Sequence, residues 1–121
     1  MKGYRQQIGE WGEKLAEEYL ISKGYQLLDR NYRTPYGEID IIACMVGVVI
    51  FVEVKTRSTT TFGLPEGGVT LKKQAHLVDS ARYYIQEHPE LINSWRVDVI
   101  AIQGKLGGKS IKITHFENAI H

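Results

Sequence analysis

Apolar positions recur at helical spacing over residues 8–23. At about 100° per residue, Trp11, Leu15, Tyr19, Gly12, Ala16, Gly9 and Leu20 fill one continuous arc. Gly24 reads as the C-terminal stop. Glu13 sits at the edge of that arc beside Leu20, whereas Glu10, Lys14 and Glu17 lie further into the polar side. Gly9, Gly12 and Ala16 form a stripe of small residues, which predicts close approach to a sheet or another helix. The pattern then changes to strands over 25–33, 38–44 and 48–55, with a turn at 34–37 and a hairpin turn at Met45-Val46-Gly47. A loop rich in Ser, Thr, Gly and Pro follows over 58–68. A second helix runs over 70–87, with Thr70 as N-cap and His88-Pro89 at its end. Its apolar face is Leu71, Ala75, Val78, Ala81, Tyr84 and Ile85, and Trp11, Tyr19 and Tyr84 read as core. Strands at 96–103 and 111–116 flank a turn at 104–108. The order α-β-β-β-α-β-β predicts one α/β domain over residues 1–121, a mixed β-sheet flanked by helices.

Three charges break the two most apolar strands. Asp40 interrupts Gly37-Glu38-Ile39-Asp40-Ile41-Ile42-Ala43-Cys44, and Glu53 and Lys55 interrupt the run that starts at Val48. Strands of this kind are buried on both faces, and a buried charge is costly unless it is paired or binds a metal. If the hairpin loop is Val46-Gly47, paired residue numbers sum to 93. Asp40 then opposes Glu53, Glu38 opposes Lys55, and all four share one face. Two opposed carboxylates beside a lysine suit a hard cation and a water nucleophile. The geometry depends on an even register, and Val46 is a poor residue for the positive φ of a two-residue primed turn.

The net charge is +1, which gives no global attraction to nucleic acid or membrane and leaves a local basic patch as the route to an anionic partner. The single cysteine, Cys44, excludes an intramolecular disulfide framework and reads as a small buried hydrophobe. No signal segment is visible at Met1–Gly12, and no run approaches the roughly 18 apolar residues of a membrane helix. These features predict a cytoplasmic protein. His76, His88, His115 and His121 lack zinc-ligand spacing.

Asp40, twelve residues, then Glu53-Val54-Lys55 matches the Asp…(Asp/Glu)-x-Lys signature of a large nuclease superfamily. With it go Gly9-Glu10-Trp11-Gly12-Glu13-Lys14-Leu15-Ala16, Asn31-Tyr32-Arg33, Thr56-Arg57 and Arg96-Val97-Asp98-Val99. On these segments the chain resembles the restriction-endonuclease-like fold, close in layout to archaeal Holliday junction resolvases, and more specifically the YraN-type family of small bacterial proteins. The resemblance implies a Mg²⁺- or Mn²⁺-dependent endonuclease acting on DNA, branched DNA included. It implies Asp40 and Glu53 as metal-binding carboxylates, the Val54 carbonyl as a further ligand, Lys55 at the attacking water and phosphate, and Glu13 completing the acidic cluster. Gln74 resembles the helical glutamine of several such nucleases. Arg57, Lys72, Lys73, Arg33, Arg30 and Arg5 are the candidates for phosphate contacts. Asp98 reads as a structural hydrogen-bonding residue, and Glu38 as solvated. A homodimer would pool two basic faces. The competing readings are a non-catalytic nucleic-acid-binding module of the same fold and a structural or partner-binding domain whose charges form an ion network.

Overall fold

Five strands lie in one sheet in the order β1-β2-β3-β4-β5. They belong to a computed structural model that describes residues 2–57, 69–91 and 94–120. The chain runs α1 (Tyr4–Ser22), β1 (Gln26–Thr34), β2 (Gly37–Met45), β3 (Val48–Arg57), α2 (Leu71–Glu87), a 3₁₀ turn (Pro89–Leu91), β4 (Ser94–Gln103) and β5 (Lys112–Ile120). The β1–β2, β2–β3 and β4–β5 pairs are antiparallel, while β3 and β4 are parallel. A parallel pair needs a crossover, and α2 lies within it. Helix α1 covers one face of the sheet, with Ala16 and Leu20 packed on Ile41, Ala43, Ile50, Val52, Ile100 and Ile102. Helix α2 covers the other, with Leu77, Ala81 and Tyr84 on Ile42, Phe51, Val97 and Val99. This is the expected mixed sheet flanked by helices. No described helix is long and apolar enough to cross a membrane.

Element boundaries shift where the pattern is silent. Helix α1 begins at Tyr4 rather than residue 8, because its first turn is exposed and polar and shows no periodicity. Its end is as expected, with Gly24 at φ 93° and the Tyr25 N–H returned to the Leu20 carbonyl. The last strand runs four residues past Phe116, because Asn118, at φ 52°, interrupts the alternation before Ile120 buries opposite Val97. On α2, Thr70 caps the helix by accepting the Lys73 N–H at 3.1 Å. The buried face differs from the expected one: Leu71 is 82% exposed and Ala75 is exposed, whereas Ser80 is buried. The Ser80 hydroxyl meets the Thr34 hydroxyl at 2.8 Å, which satisfies a polar group that an apolar count passes over. Cys44 is half-buried, with its thiol toward Gln26. The 58–68 loop lies outside the described residues.

The small-residue stripe on α1 resolves into one close contact. Gly12 meets Thr56 of β3; a Cβ there would overlap the Thr56 Oγ1 and lie 2.9 Å from its Cβ and Cγ2. Gly9 faces open space. The β2–β3 hairpin closes with Val46 at φ 44° and Gly47 at φ 79°, a two-residue primed turn. Valine is β-branched and 96% exposed there, so it contributes no packing that offsets the left-handed backbone.

Two substitutions test these contacts. Val46→Asn should stabilise the chain by about 1 kcal/mol, since asparagine tolerates the left-handed region; a urea midpoint that stays put or falls would contradict the strain. Gly12→Ala should destabilise by roughly 1–3 kcal/mol despite its better helix propensity, because α1 must lift off Thr56. Thermal unfolding of the two variants side by side reads both effects.

Candidate active site

The β2–β3 ladder runs from Met45↔Val48 to Ile41↔Val52 in the even register, with partners summing to 93. It stops there. Continued, the ladder would bring Val54 opposite Ile39. Instead the Val54 N–H donates to Asp40 Oδ2 at 2.8 Å. β2 turns over at this point: Ile41 packs on the α1 side and Ile39 on the α2 side, although they are two residues apart. Between the paired residues Arg30↔Ile41 and Tyr32↔Ile39, β1 holds Asn31 at φ 48°. The two strands therefore part at Asp40, and its carboxylate takes over a backbone donor that the ladder no longer uses. The expected pairing of Glu38 with Lys55 does not form, and Glu38, Asp40, Glu53 and Lys55 do not share one regular face.

Glu53 follows Phe51 on the α2 side of β3 and is 4% exposed. Its Oε2 lies 3.7 Å from the Lys73 Nζ of α2, and its Oε1 is buried without a hydrogen-bond donor among the described residues. Burial and the adjacent Glu53 carboxylate push the Asp40 carboxyl up to about 8, against the pull of the Val54 N–H. A proton on Asp40 thus stands where a cation would relieve the same repulsion. Lys55, next along that face, is half-buried and makes no ion pair with another described residue. Two adjacent carboxyls that hold one proton between them, and oxygen ligands throughout, suit a hard divalent cation. Among the described residues no three of Asp, Glu, His or Cys converge as a ready ligand set, so remaining positions would fall to water and the Val54 carbonyl.

Glu13 extends from α1 to the Asn31 and Glu38 side of this site. The Asn31 side-chain amide donates to Glu13 Oε1 at 2.9 Å and to Glu38 Oε1 at 3.2 Å, tying two acids together. Burial, helped by Asp40 and Glu38, raises the Glu13 carboxyl above its usual range. Glu38 is not simply solvated, since it is half-buried and also pairs with Arg33 at 3.5 Å. Asn31 is the site residue that pattern reasoning missed. Its one signal was an asparagine inside a strand, where a left-handed residue is expected.

The remaining candidates lie further out. The Gln74 Nε2 donates to the Val69 carbonyl at 2.9 Å, so its amide braces the start of α2. Lys73 is drawn to Glu53 rather than held free for phosphate, while Lys72 is exposed. Arg57 lies on β3 beyond Lys55, its Nε buried without a partner among the described residues. Arg30 pairs with Glu17 at 3.2 Å. Asp98, fully buried, accepts from Arg96 at 3.0 Å, from the Asn118 N–H at 2.8 Å, and meets His115 at 2.7 Å. Although burial opposes it, these bonds hold the Asp98 carboxyl below the usual carboxylate range. Its role is structural, as expected.

Sheet order and crossover define a mixed α/β domain, a five-stranded sheet with a helix on each face. The sequence profile described as "Uncharacterised protein family UPF0102" matches residues 12–102, and the chain belongs to that family, the YraN-type group. It is 46% identical over 119 residues to a UPF0102 protein of Thermodesulfovibrio yellowstonii, covering 95% of this chain and 96% of that one. To a UPF0102 protein of Alkaliphilus oremlandii it is 47% identical over 114 residues, covering 93% and 96%. Among solved structures, that of Pyrococcus furiosus SfsA in complex with Ca²⁺ is similar at a TM-score of 0.41 and 18% identity, covering 93% of this chain and 63% of that one.

The Asp40 carboxyl links stability to pH. Between about pH 4 and pH 8 the folded chain holds a proton on Asp40 that the unfolded chain has released. Its stabilising contribution is therefore complete at the acid end and is lost as pH rises through that window. Asp40→Asn, which keeps an acceptor for Val54, should gain stability over the parent as pH rises from 5 to 8.5 in the presence of a chelator. Parallel stability curves for the two proteins would show that Asp40 titrates as an ordinary carboxylate.

Proposed function

We propose that this domain is a divalent-cation-dependent nuclease that hydrolyses DNA phosphodiester bonds. The observation that supports it most is the pair of carboxyls, half-buried Asp40 and buried Glu53, left short of positive charge where β2 and β3 part, with Lys55 two residues further on. Asp40, Glu53 and the Val54 carbonyl would hold Mg²⁺ or Mn²⁺. Such a cation supplies positive charge against the phosphate and makes water more acidic.

The chain's own groups do the rest. The Val54 N–H fixes the Asp40 carboxylate, and Asn31 fixes Glu13 and Glu38 beside it. Lys55 carries a flexible ammonium that can orient water and neutralise phosphate oxygens. Arg57 and Lys72 offer positive charge for neighbouring phosphates. In this reading the protein works in the cytoplasm, and a homodimer pools basic residues that a chain of net charge +1 has in short supply.

The deciding assay is a panel of linear, flapped, forked and four-way DNA substrates with each metal. Cleavage should be strongest on a branched substrate. Lys55→Ala and Glu53→Gln should each slow it on the order of a hundredfold or more while leaving the fold intact. Mn²⁺ should raise the melting temperature of the parent and leave that of Asp40→Asn unchanged. Binding without cutting across the panel would turn the reading to a non-catalytic nucleic-acid-binding module. Neither binding nor cutting would point to an ion network in a structural domain.

A further inference from the structure

The ammonium nearest the candidate site's carboxylates comes from outside the Asp…Glu-x-Lys pattern. Lys55 belongs to the pattern, yet the lysine paired with Glu53 is Lys73, 3.7 Å away on the first turn of α2. Its side chain is 43% exposed while that of Glu53 is 5% exposed, so one end of the pair is free to swing into solvent and the other is fixed in the sheet. Glu53 uses only one oxygen for this contact; Oε1 stays buried and unpartnered among the described residues.

We propose that Lys73 is the site's internal counter-ion, and that it competes with the divalent cation for Glu53. The inference rests on the metal reading given above and adds a residue that sets how tightly the cation is held. The chemistry is electrostatic. A cation coordinated by Asp40 and Glu53 would stand within a few ångströms of the Lys73 ammonium, and like charges at that range in a half-buried site repel strongly. Binding of the cation therefore requires the lysine to leave. A half-exposed lysine can do so at small cost, because its ammonium regains water. A second backbone donor in that place could not be displaced so readily. The arrangement keeps Glu53 partly compensated in the absence of metal and at the same time weakens metal affinity.

Titration calorimetry with Mn²⁺ on the full chain, without DNA, tests this. Lys73→Gln removes the charge and retains a side chain of similar reach; Thr70 still caps the backbone N–H of residue 73. This variant should bind Mn²⁺ about tenfold more tightly than the parent. Lys73→Arg should bind like the parent, and Lys109→Gln, the same charge change on the distant β4–β5 turn, should leave affinity unchanged. The melting-temperature rise at a fixed Mn²⁺ concentration should follow the same order. Unchanged or weaker affinity in Lys73→Gln would overturn the proposal while leaving the metal site standing, and so would equal tightening in Lys109→Gln. If neither the parent nor Lys73→Gln binds Mn²⁺, the metal reading fails and this proposal fails with it.

Discussion

One hydrogen bond organises the site: the Val54 N–H is given to a carboxylate instead of to a carbonyl of the neighbouring strand. A backbone donor buried in a sheet must find an acceptor. By supplying one from its side chain, Asp40 lets β2 separate from β3 without leaving Val54 unsatisfied. β3 continues to Arg57 on its parallel ladder with β4 alone, and Glu53, Val54 and Lys55 follow the point of separation. The residue that opens the sheet is thus the residue that offers a carboxylate to the opening. Asn31 performs the matching task on the other side of β2, where its left-handed backbone accommodates the turn-over and its amide gathers Glu13 and Glu38.

The chain contains a control for the meaning of this arrangement. Asp98 is more deeply buried than Asp40 and, like it, accepts a backbone N–H where a neighbouring strand leaves register. Yet Asp98 also meets Arg96 and His115, whose bonds reach on to Tyr25, Glu117 and Tyr19. Its charge is accounted for, and its carboxyl sits low. Asp40 faces a second carboxylate, and its carboxyl sits high. The more buried of the two has the lower carboxyl, so the difference comes from the partners. A network that satisfies its charge internally joins α1 to the edge of the sheet. A pair that does not satisfy its charge is what an external cation would complete.

How much of this was legible in the sequence follows from which interactions are local in pattern. The even register of the hairpin came from counting residues, and Thr70 and Gly24 were fixed by cap chemistry. The break in the ladder at Asp40 could not be read that way. Alternation places Ile39 and Ile41 on one face, and only the left-handed Asn31 on the adjacent strand shows how they come to lie on opposite faces. Ser80 in the core of α2 depends on a hydroxyl of Thr34, 46 residues away, and no periodicity records such a partner. Lys73 reads in the sequence as a candidate for phosphate contact; its contact with Glu53 is set by how α2 crosses the sheet. Tertiary pairings of single polar groups are the part of a fold that hydrophobic pattern leaves unspecified.

The charge distribution also constrains the order of events in the proposed reaction. Glu13, Glu38, Asp40 and Glu53 surround the parting of the strands, and the nearby basic residues are largely committed: Arg30 to Glu17, Arg33 to Glu38 and Lys73 to Glu53. A phosphodiester approaching this site without a cation would meet carboxylates, one of them protonated, and only Lys55 near at hand. Repulsion between the phosphate and the acids would outweigh that single ammonium in a half-buried setting. A divalent cation held by Asp40 and Glu53 would reverse the balance, since its charge would offset both carboxyls and displace Lys73 from Glu53. Lys55 and the cation would then face the phosphate together. In this reading the weak global charge of the chain is no obstacle to an anionic substrate, since the attraction is generated within the site when the cation is held and is absent when it is not.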